Sequence, residues 1–122
     1  MSRYSYDPEA YEKRYRKVYA VGAKFWEQLE PTETLAKFVS EISMSRRSRV
    51  IEFGCGEGRD SVFFSRKGFR VLGVDTARSA LVNAKRRSKK ERAGAEFIVA
   101  DIRACPRRMR FLIWPLTLLV CI

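Results

Sequence analysis

The stretch VIEFGCGEGRD, Val50 to Asp60, decides the fold. With Arg49 its first residues make RVIEF (49–53), a short run rich in strand-forming side chains. Gly54, Gly56 and Gly58 follow at every second position, so the chain can turn sharply and a ligand can touch the backbone with no Cβ in the way. The next segment, RDSVFFSRK, reads as a short helix. Its free N–H groups and positive dipole end face the glycines, where a negative group is welcome. Glu52 pulls the other way. A carboxylate two residues before the first glycine repels a pyrophosphate and suits a ligand that carries an ammonium group. The dinucleotide pattern G-x-G-x-x-G needs its third glycine at position 59, which is Arg59. The spacing here is G-x-G-x-G.

Working outward, Gly68 stands where a C′ residue would stop that helix. FRVLGVD (69–75) reads as a second buried strand, with Gly73 as a packing glycine. ARSALVNAKRRSKKER (77–92) reads as an amphipathic helix with Ala77, Ala80, Leu81 and Ala84 on one face, ended by Gly94. AEFIVAD (95–101) is a third strand. Two consecutive βαβ units predict an α/β fold, a partial doubly wound (Rossmann-like) parallel sheet of three to four strands with N-terminal helices. Its ligand crevice lies at the carboxyl ends of the strands. Glu52, Asp75 and Asp101 each fall at or near such an end. Glu57 reads as solvent-facing.

Upstream, Asp7 as N-cap and Pro8 in the first turn predict a helix. Tyr11, Tyr15, Val18 and Tyr19 fall on one face of it. A second helix is expected from near Thr32, where Thr32 or Thr34 could cap, with Leu35, Phe38, Val39 and Ile42 at helical spacing. SMSRRS (43–48) is a polar break.

Together VIEFGCGEGRDSVFFSRKGFRVLGVD and the later FIVAD resemble the cofactor half of a class I S-adenosylmethionine-dependent methyltransferase. The form is most similar to the small-molecule branch, the thiopurine and tellurite-resistance type. The resemblance runs from about Tyr11 to Asp101. It implies S-adenosyl-L-methionine as cofactor and a small-molecule methyl acceptor. Within the loop Gly54–Cys55–Gly56–Glu57–Gly58, the resemblance places Gly54 and Gly56 against the methionine part, with Cys55 and Gly58 completing the cofactor-binding turn. It sets Glu52 near the ammonium, Asp75 on both ribose hydroxyls and Thr76 beside the adenine. Asp101 would accept from the exocyclic amine, and the Ile102 main chain would meet a ring nitrogen. Arg59 and Asp60 would line the pocket near the cofactor's carboxylate and the substrate. The resemblance also makes the N-terminal helices a lid, with Tyr4, Tyr6, Tyr11, Tyr15, Tyr19, Phe25 or Trp26 facing the substrate. Plain amphipathic packing on the sheet explains Tyr11 and Tyr15 as well, and the sequence leaves the two open.

Composition narrows the chemistry. The 122 residues suit one domain, and 46% are apolar, enough for a modest core. There is no histidine, which excludes His-based triads, bases and metal ligands. Methyl transfer tolerates that lack, because positioning and water exclusion are its main demands. Cys55, Cys105 and Cys121 show no CxxC spacing, so no metal site is expected; an odd count with no signal peptide reads as reduced thiols in the cytoplasm. The net charge of +11 raises nucleic acid as a partner. The basic run KRRSKKER (85–92) carries no interleaved aromatic residue and reads as a solvated helix end, so nucleic acid is not expected. No membrane span is expected, since the longest apolar run, Phe111 to Ile122, has 12 residues and contains Pro115.

After Asp101 the family pattern stops: no acidic residue follows, and RRMRFLIWPLTLLVCI is not the expected continuation. Three segments are expected: an N-terminal helical cap (1–47), a cofactor-binding half (48–105) and an aberrant apolar tail (106–122). A frameshift or interruption near Pro106 would account for the tail. Alternatively FLIWPLTLL is itself a fourth strand beside the first, although Pro115 argues against a central place. A truncated sheet leaves an edge bare and predicts self-association. Two functions follow: a methyltransferase acting on a small molecule, inactive if the truncation disables it, or a non-catalytic remnant that at most binds cofactor; a nucleic-acid methyltransferase, raised only by the net charge, is a weaker third.

Overall fold

A computed structural model describes residues 7–22, 33–41, 48–101, 103 and 117–121. Two helices come first, α1 (Pro8–Ala20) and α2 (Glu33–Glu41). There follow β1 (Arg49–Phe53), α3 (Arg59–Arg66), β2 (Arg70–Asp75), α4 (Arg78–Lys90), β3 (Glu96–Val99) and β4 (Thr117–Cys121). The strands form one parallel sheet in the order β3-β2-β1-β4.

Parallel order and alternation together sort the core. Val50 and Val71 are register partners and pack with Phe64 of α3 and Leu35 of α2. Phe97 of β3 lies on the same face, with Val62 of α3 and Leu81 and Ala84 of α4. Both crossover helices therefore cover one face, as right-handed βαβ units require. Burying a side chain such as Phe64 or Val50, each fully enclosed, contributes about 1.5–3 kcal/mol. Ile51 and Val74 form a second core on the other face with Phe53 and Leu72. Gly73 is a packing glycine, as expected: a Cβ there would lie 2.5 Å from the Phe97 ring.

A fourth strand beside the first, the alternative offered for FLIWPLTLL, exists with later bounds, Thr117–Cys121. It comes from the far tail and pairs with β1 in the register Glu52↔Val120. Strand β4 begins at Thr117 and stands at one end of the sheet order; Pro115, like Thr32, Ile42 and Phe25, lies outside the described residues.

Two expectations about helix ends part company. Gly68 stops α3 as anticipated, with its N–H on the Ser65 carbonyl and the Phe69 N–H on that of Phe64. Helix α4 does not run to Arg92 with Gly94 as its stop. It ends at Lys90, and Arg92 takes the left-handed position with φ 53. The Arg92 N–H reaches the Lys89 carbonyl and the Ala93 N–H reaches that of Ser88. This is the same pair of closing bonds, made with a side chain where glycine would fit better.

Helix α1 starts as read, with Asp7 accepting the Glu9 N–H at 2.9 Å and Pro8 in the first turn. It does not lie on the sheet. Its principal neighbour is α4.

Candidate functional site

The turn after β1 is built by its glycines. The N–H groups of Gly54 and Cys55 both donate to the Val74 carbonyl (2.7 and 3.1 Å), which folds the loop back over the end of β2. Gly56 and Gly58 have φ of 52 and 75, in the left-handed region. Each is also crowded. A Cβ on Gly58 would lie 2.8 Å from Phe97 and 2.9 Å from Ala84, so Gly58 is needed for α3 and α4 to approach β3. A Cβ on Gly56 would lie 2.9 Å from the Tyr15 hydroxyl oxygen, so helix α1 reaches the loop itself. Gly58 also serves as the N-cap of α3 with no side-chain cap, leaving the first-turn N–H groups of that helix to other acceptors.

Asp75, at the end of β2, closes the corner. Its Oδ2 accepts the Gly56 N–H and its Oδ1 the Ala77 N–H, both at 2.8 Å. The carboxylate is half-buried, and each oxygen keeps a further lone pair. Thr76 beside it is half-buried too. The Ala100 N–H donates to the Asp75 carbonyl at 3.0 Å, placing Asp101 just past the ladder of β2 and β3. There Arg103 clamps Asp101: its Nη2 lies 2.6 Å and its Nε 3.0 Å from Oδ2, and its N–H donates to Oδ1 at 2.9 Å. These bonds hold the Asp101 carboxyl below its ordinary range. Ile102 lies outside the described residues.

Beneath the loop sits a buried acidic group. Glu52 is 1% exposed. The Ser61 hydroxyl donates to its Oε2 at 2.6 Å, while Oε1 has no hydrogen-bond partner among the described residues. Burial pushes the Glu52 carboxyl up to about 7; the Ser61 bond opposes this and the charge of Asp60 adds to it. Asp60, also buried, is approached by Arg59 Nε at 3.4 Å.

Neighbouring groups are shifted too, first by burial and then by nearby carboxylates. Burial, then the charges of Asp75 and Glu57, push the Tyr15 hydroxyl up to about 12. Burial followed by the charges of Glu52 and Asp75 raises the Cys55 thiol well above its usual range. Three carboxylates, those of Glu52, Asp75 and Glu57, thus lie near the loop in a protein of net charge +11.

Three site features escaped the sequence reading. Glu57 is buried rather than solvent-facing: Tyr19 donates to its Oε1 at 2.6 Å and Arg87 Nη2 lies 3.9 Å from its Oε2. Glu12 accepts both the N–H (3.1 Å) and the hydroxyl (2.5 Å) of Ser79 at the start of α4. Ser61, one turn into α3, supplies the hydroxyl on Glu52. None of these pairs has a local spacing that announces it. A cavity of about 500 Å³ exists at the opposite, amino ends of the strands, lined by Arg49, Arg70, Phe69 and Glu96, away from this chemistry. Among the described residues no cluster of side chains could hold a metal ion, and no helix is long and apolar enough to cross a membrane.

A methyltransferase domain family matches residues 50–113. No curated protein matches the chain. Solved structures do. A SAM-dependent methyltransferase from Anabaena variabilis is 19% identical with a TM-score of 0.70, over 99% of this chain and 51% of that one. One from Thiobacillus denitrificans, in complex with S-adenosyl-L-homocysteine, is 22% identical with a TM-score of 0.56, over 70% and 36%. TehB from Haemophilus influenzae is 23% identical with a TM-score of 0.56, over 65% and 27%. The chain thus spans between about a quarter and about half of the length of these solved structures.

Proposed function

Because this chain belongs to the methyltransferase domain family, we propose that it is an S-adenosylmethionine-dependent methyltransferase acting on a small molecule. One observation carries the cofactor assignment: a buried carboxylate, Glu52, has an unpartnered oxygen beside a glycine loop whose corner is closed by a second carboxylate, Asp75. The methionine part of the cofactor is a zwitterion. Glu52 Oε1 suits its ammonium, and the N-terminal end of α3, whose N-cap Gly58 brings no side chain, suits its carboxylate. Asp75 keeps lone pairs for the ribose hydroxyls, with Gly54, Cys55, Gly56 and Gly58 as the surrounding backbone. Thr76, Asp101 and the Ile102 main chain are assigned to the adenine side, and Arg59 to the rim. Asp101 would serve the adenine by exchanging part of its Arg103 clamp.

When bound, S-adenosylmethionine supplies a methyl group already activated by its sulfonium. The chain's own contribution is to orient and to exclude water, the proximity and desolvation effects that such a transfer needs. The carboxylates of Asp75 and Glu57, joined by Glu52 where it is charged, favour a positively charged sulfur centre over its neutral product. Residues 1–47 act as a helical cap on the cofactor-binding half, 48–105, and 106–122 contribute the strand beside β1. The cysteine usage suits the cytoplasm. Ile98 and Val99, 38% and 46% exposed on the outer strand β3, make that edge the place for self-association; a single monomer mass by light scattering would refute this. The small-molecule acceptor rests on the E-F-G-C-G-E-G-R-D form of the loop.

Calorimetric titration with S-adenosylhomocysteine tests the reading. Micromolar binding by the full chain, lost in Asp75→Ala, is expected. No heat from the folded wild-type chain would sink the assignment. Transfer of labelled methyl to a panel of thiols and amines then separates an enzyme from a chain that only binds cofactor.

A further inference from the structure

Glu57 stands between Gly56 and Gly58, two of the loop's three left-handed glycines, with one carboxylate oxygen hydrogen-bonded and the other in an ion pair. One bond goes to Tyr19 of α1, the other contact to Arg87 of α4. A single loop residue therefore joins two helices that are far apart in sequence. Helix α1 needs such a tie. It has no buried residue and joins none of the apolar clusters among the described residues. What holds it is polar: Glu12 on Ser79, Tyr15 against Gly56, Tyr19 on Glu57. A 13-residue helix is marginal by itself in water, and one docked through polar contacts lies at the low end of local stability.

We propose that Glu57 is a positioning residue that couples the docking of α1 to the shape of the glycine loop, so that cofactor affinity depends on the Tyr19–Glu57 bond. The proposal rests on the cofactor assignment above. Glycines on either side give the loop more backbone freedom than other residues would. The bond from Tyr19, with Arg87 beside the other oxygen, restricts that freedom. Docked α1 also brings the Tyr15 hydroxyl over Gly56, next to the Asp75 corner, and makes it part of the wall of the crevice. Release of Tyr19 from Glu57 would loosen the loop and open that wall to water together.

The test uses the full chain with Tyr19→Phe, Glu57→Gln and the double variant, titrated with S-adenosylhomocysteine, and amide hydrogen exchange of α1 with and without it. Tyr19→Phe keeps the ring and loses only a hydroxyl, so its result stands even where Glu57→Gln fails to fold. Tyr19→Phe should weaken binding about tenfold, the size of one lost hydrogen bond to a charged group, and Glu57→Gln, which keeps a neutral amide oxygen for Tyr19, by less. The double variant should be close to Tyr19→Phe alone, because Glu57→Gln weakens the same bond that Tyr19→Phe removes. In the wild type the ligand should slow exchange across α1, and in Tyr19→Phe this protection should shrink. Wild-type affinity in Tyr19→Phe, or α1 exchange that ignores the ligand, overturns the coupling while leaving the cofactor assignment standing. No binding by the wild-type chain overturns both.

Discussion

Gly56 donates its backbone N–H to Asp75 Oδ2 at 2.8 Å, and this bond ties the tip of the glycine loop to the carboxyl end of β2. The other oxygen of Asp75 holds the Ala77 N–H at the entry to α4. Asp75→Ala strands both donors and should cost about 1–3 kcal/mol of stability, besides abolishing binding of S-adenosylhomocysteine. Asp75→Asn keeps one acceptor and should fall between. Urea denaturation separates the stability loss from the calorimetric loss of binding; a fully stable Asp75→Ala would refute the structural half.

Glu52 makes stability depend on pH in an unusual direction. Its carboxyl is raised to about 7 in the folded chain against 4.5 unfolded, so between those values the native state holds the extra proton. Stability should therefore be highest below about pH 4.5 for this group and fall as pH rises through 7, by an amount on the order of 3 kcal/mol. Glu52→Gln should remove the slope and be the more stable protein at pH 8, as read from urea midpoints across pH. A ligand ammonium favours the charged carboxylate, so wild-type binding at pH 6 should release a proton. That shows as a buffer-dependent heat, absent in Glu52→Gln.

Gly58 and Gly68 both have positive φ, but only Gly58 is crowded. Gly68→Ala meets nothing within 4 Å and should cost only the left-handed backbone penalty, about 1–2 kcal/mol. Gly58→Ala adds a clash with Phe97 and Ala84 and should cost roughly 1–3 kcal/mol more. Equal losses in thermal melts would mean that β3 and α4 yield easily.

Arg92 occupies a position at the end of α4 that suits glycine. Arg92→Gly should stabilise the chain by about 1 kcal/mol, seen as a higher urea midpoint with unchanged slope. No gain would mean that the Arg92 side chain contributes as much as its backbone costs.

Much of this was legible in the sequence because it is local. β-branched runs, helical spacing and the glycine triplet gave three strands, two crossover helices and the acidic rim with boundaries within a residue or two. The Asp75 corner followed from its place at a strand end. What stayed hidden depends on distant partners. Glu57 looked like a loop carboxylate because its ties, Tyr19 and Arg87, lie on other helices. The polar docking of α1 through Glu12 and Ser79 joins residues 67 apart. Arg92 was missed because Gly94 offered the expected residue type nearby, while the closing bonds chose the earlier position.

The sheet order carries a kinetic consequence. Arg49 has two register partners, Arg70 on β2 and Thr117 on β4, and the second lies more than three times as far along the chain. Closing the longer loop costs only about 1 kcal/mol more in chain entropy. It does, however, make the ladder between β1 and β4 a non-local event, which slows folding. Until it forms, β1, the strand that leads into the glycine loop, has one hydrogen-bonding edge exposed. A folding chain thus carries its functional strand as a temporary sheet edge, open to pairing with another molecule, for as long as the distant strand takes to arrive.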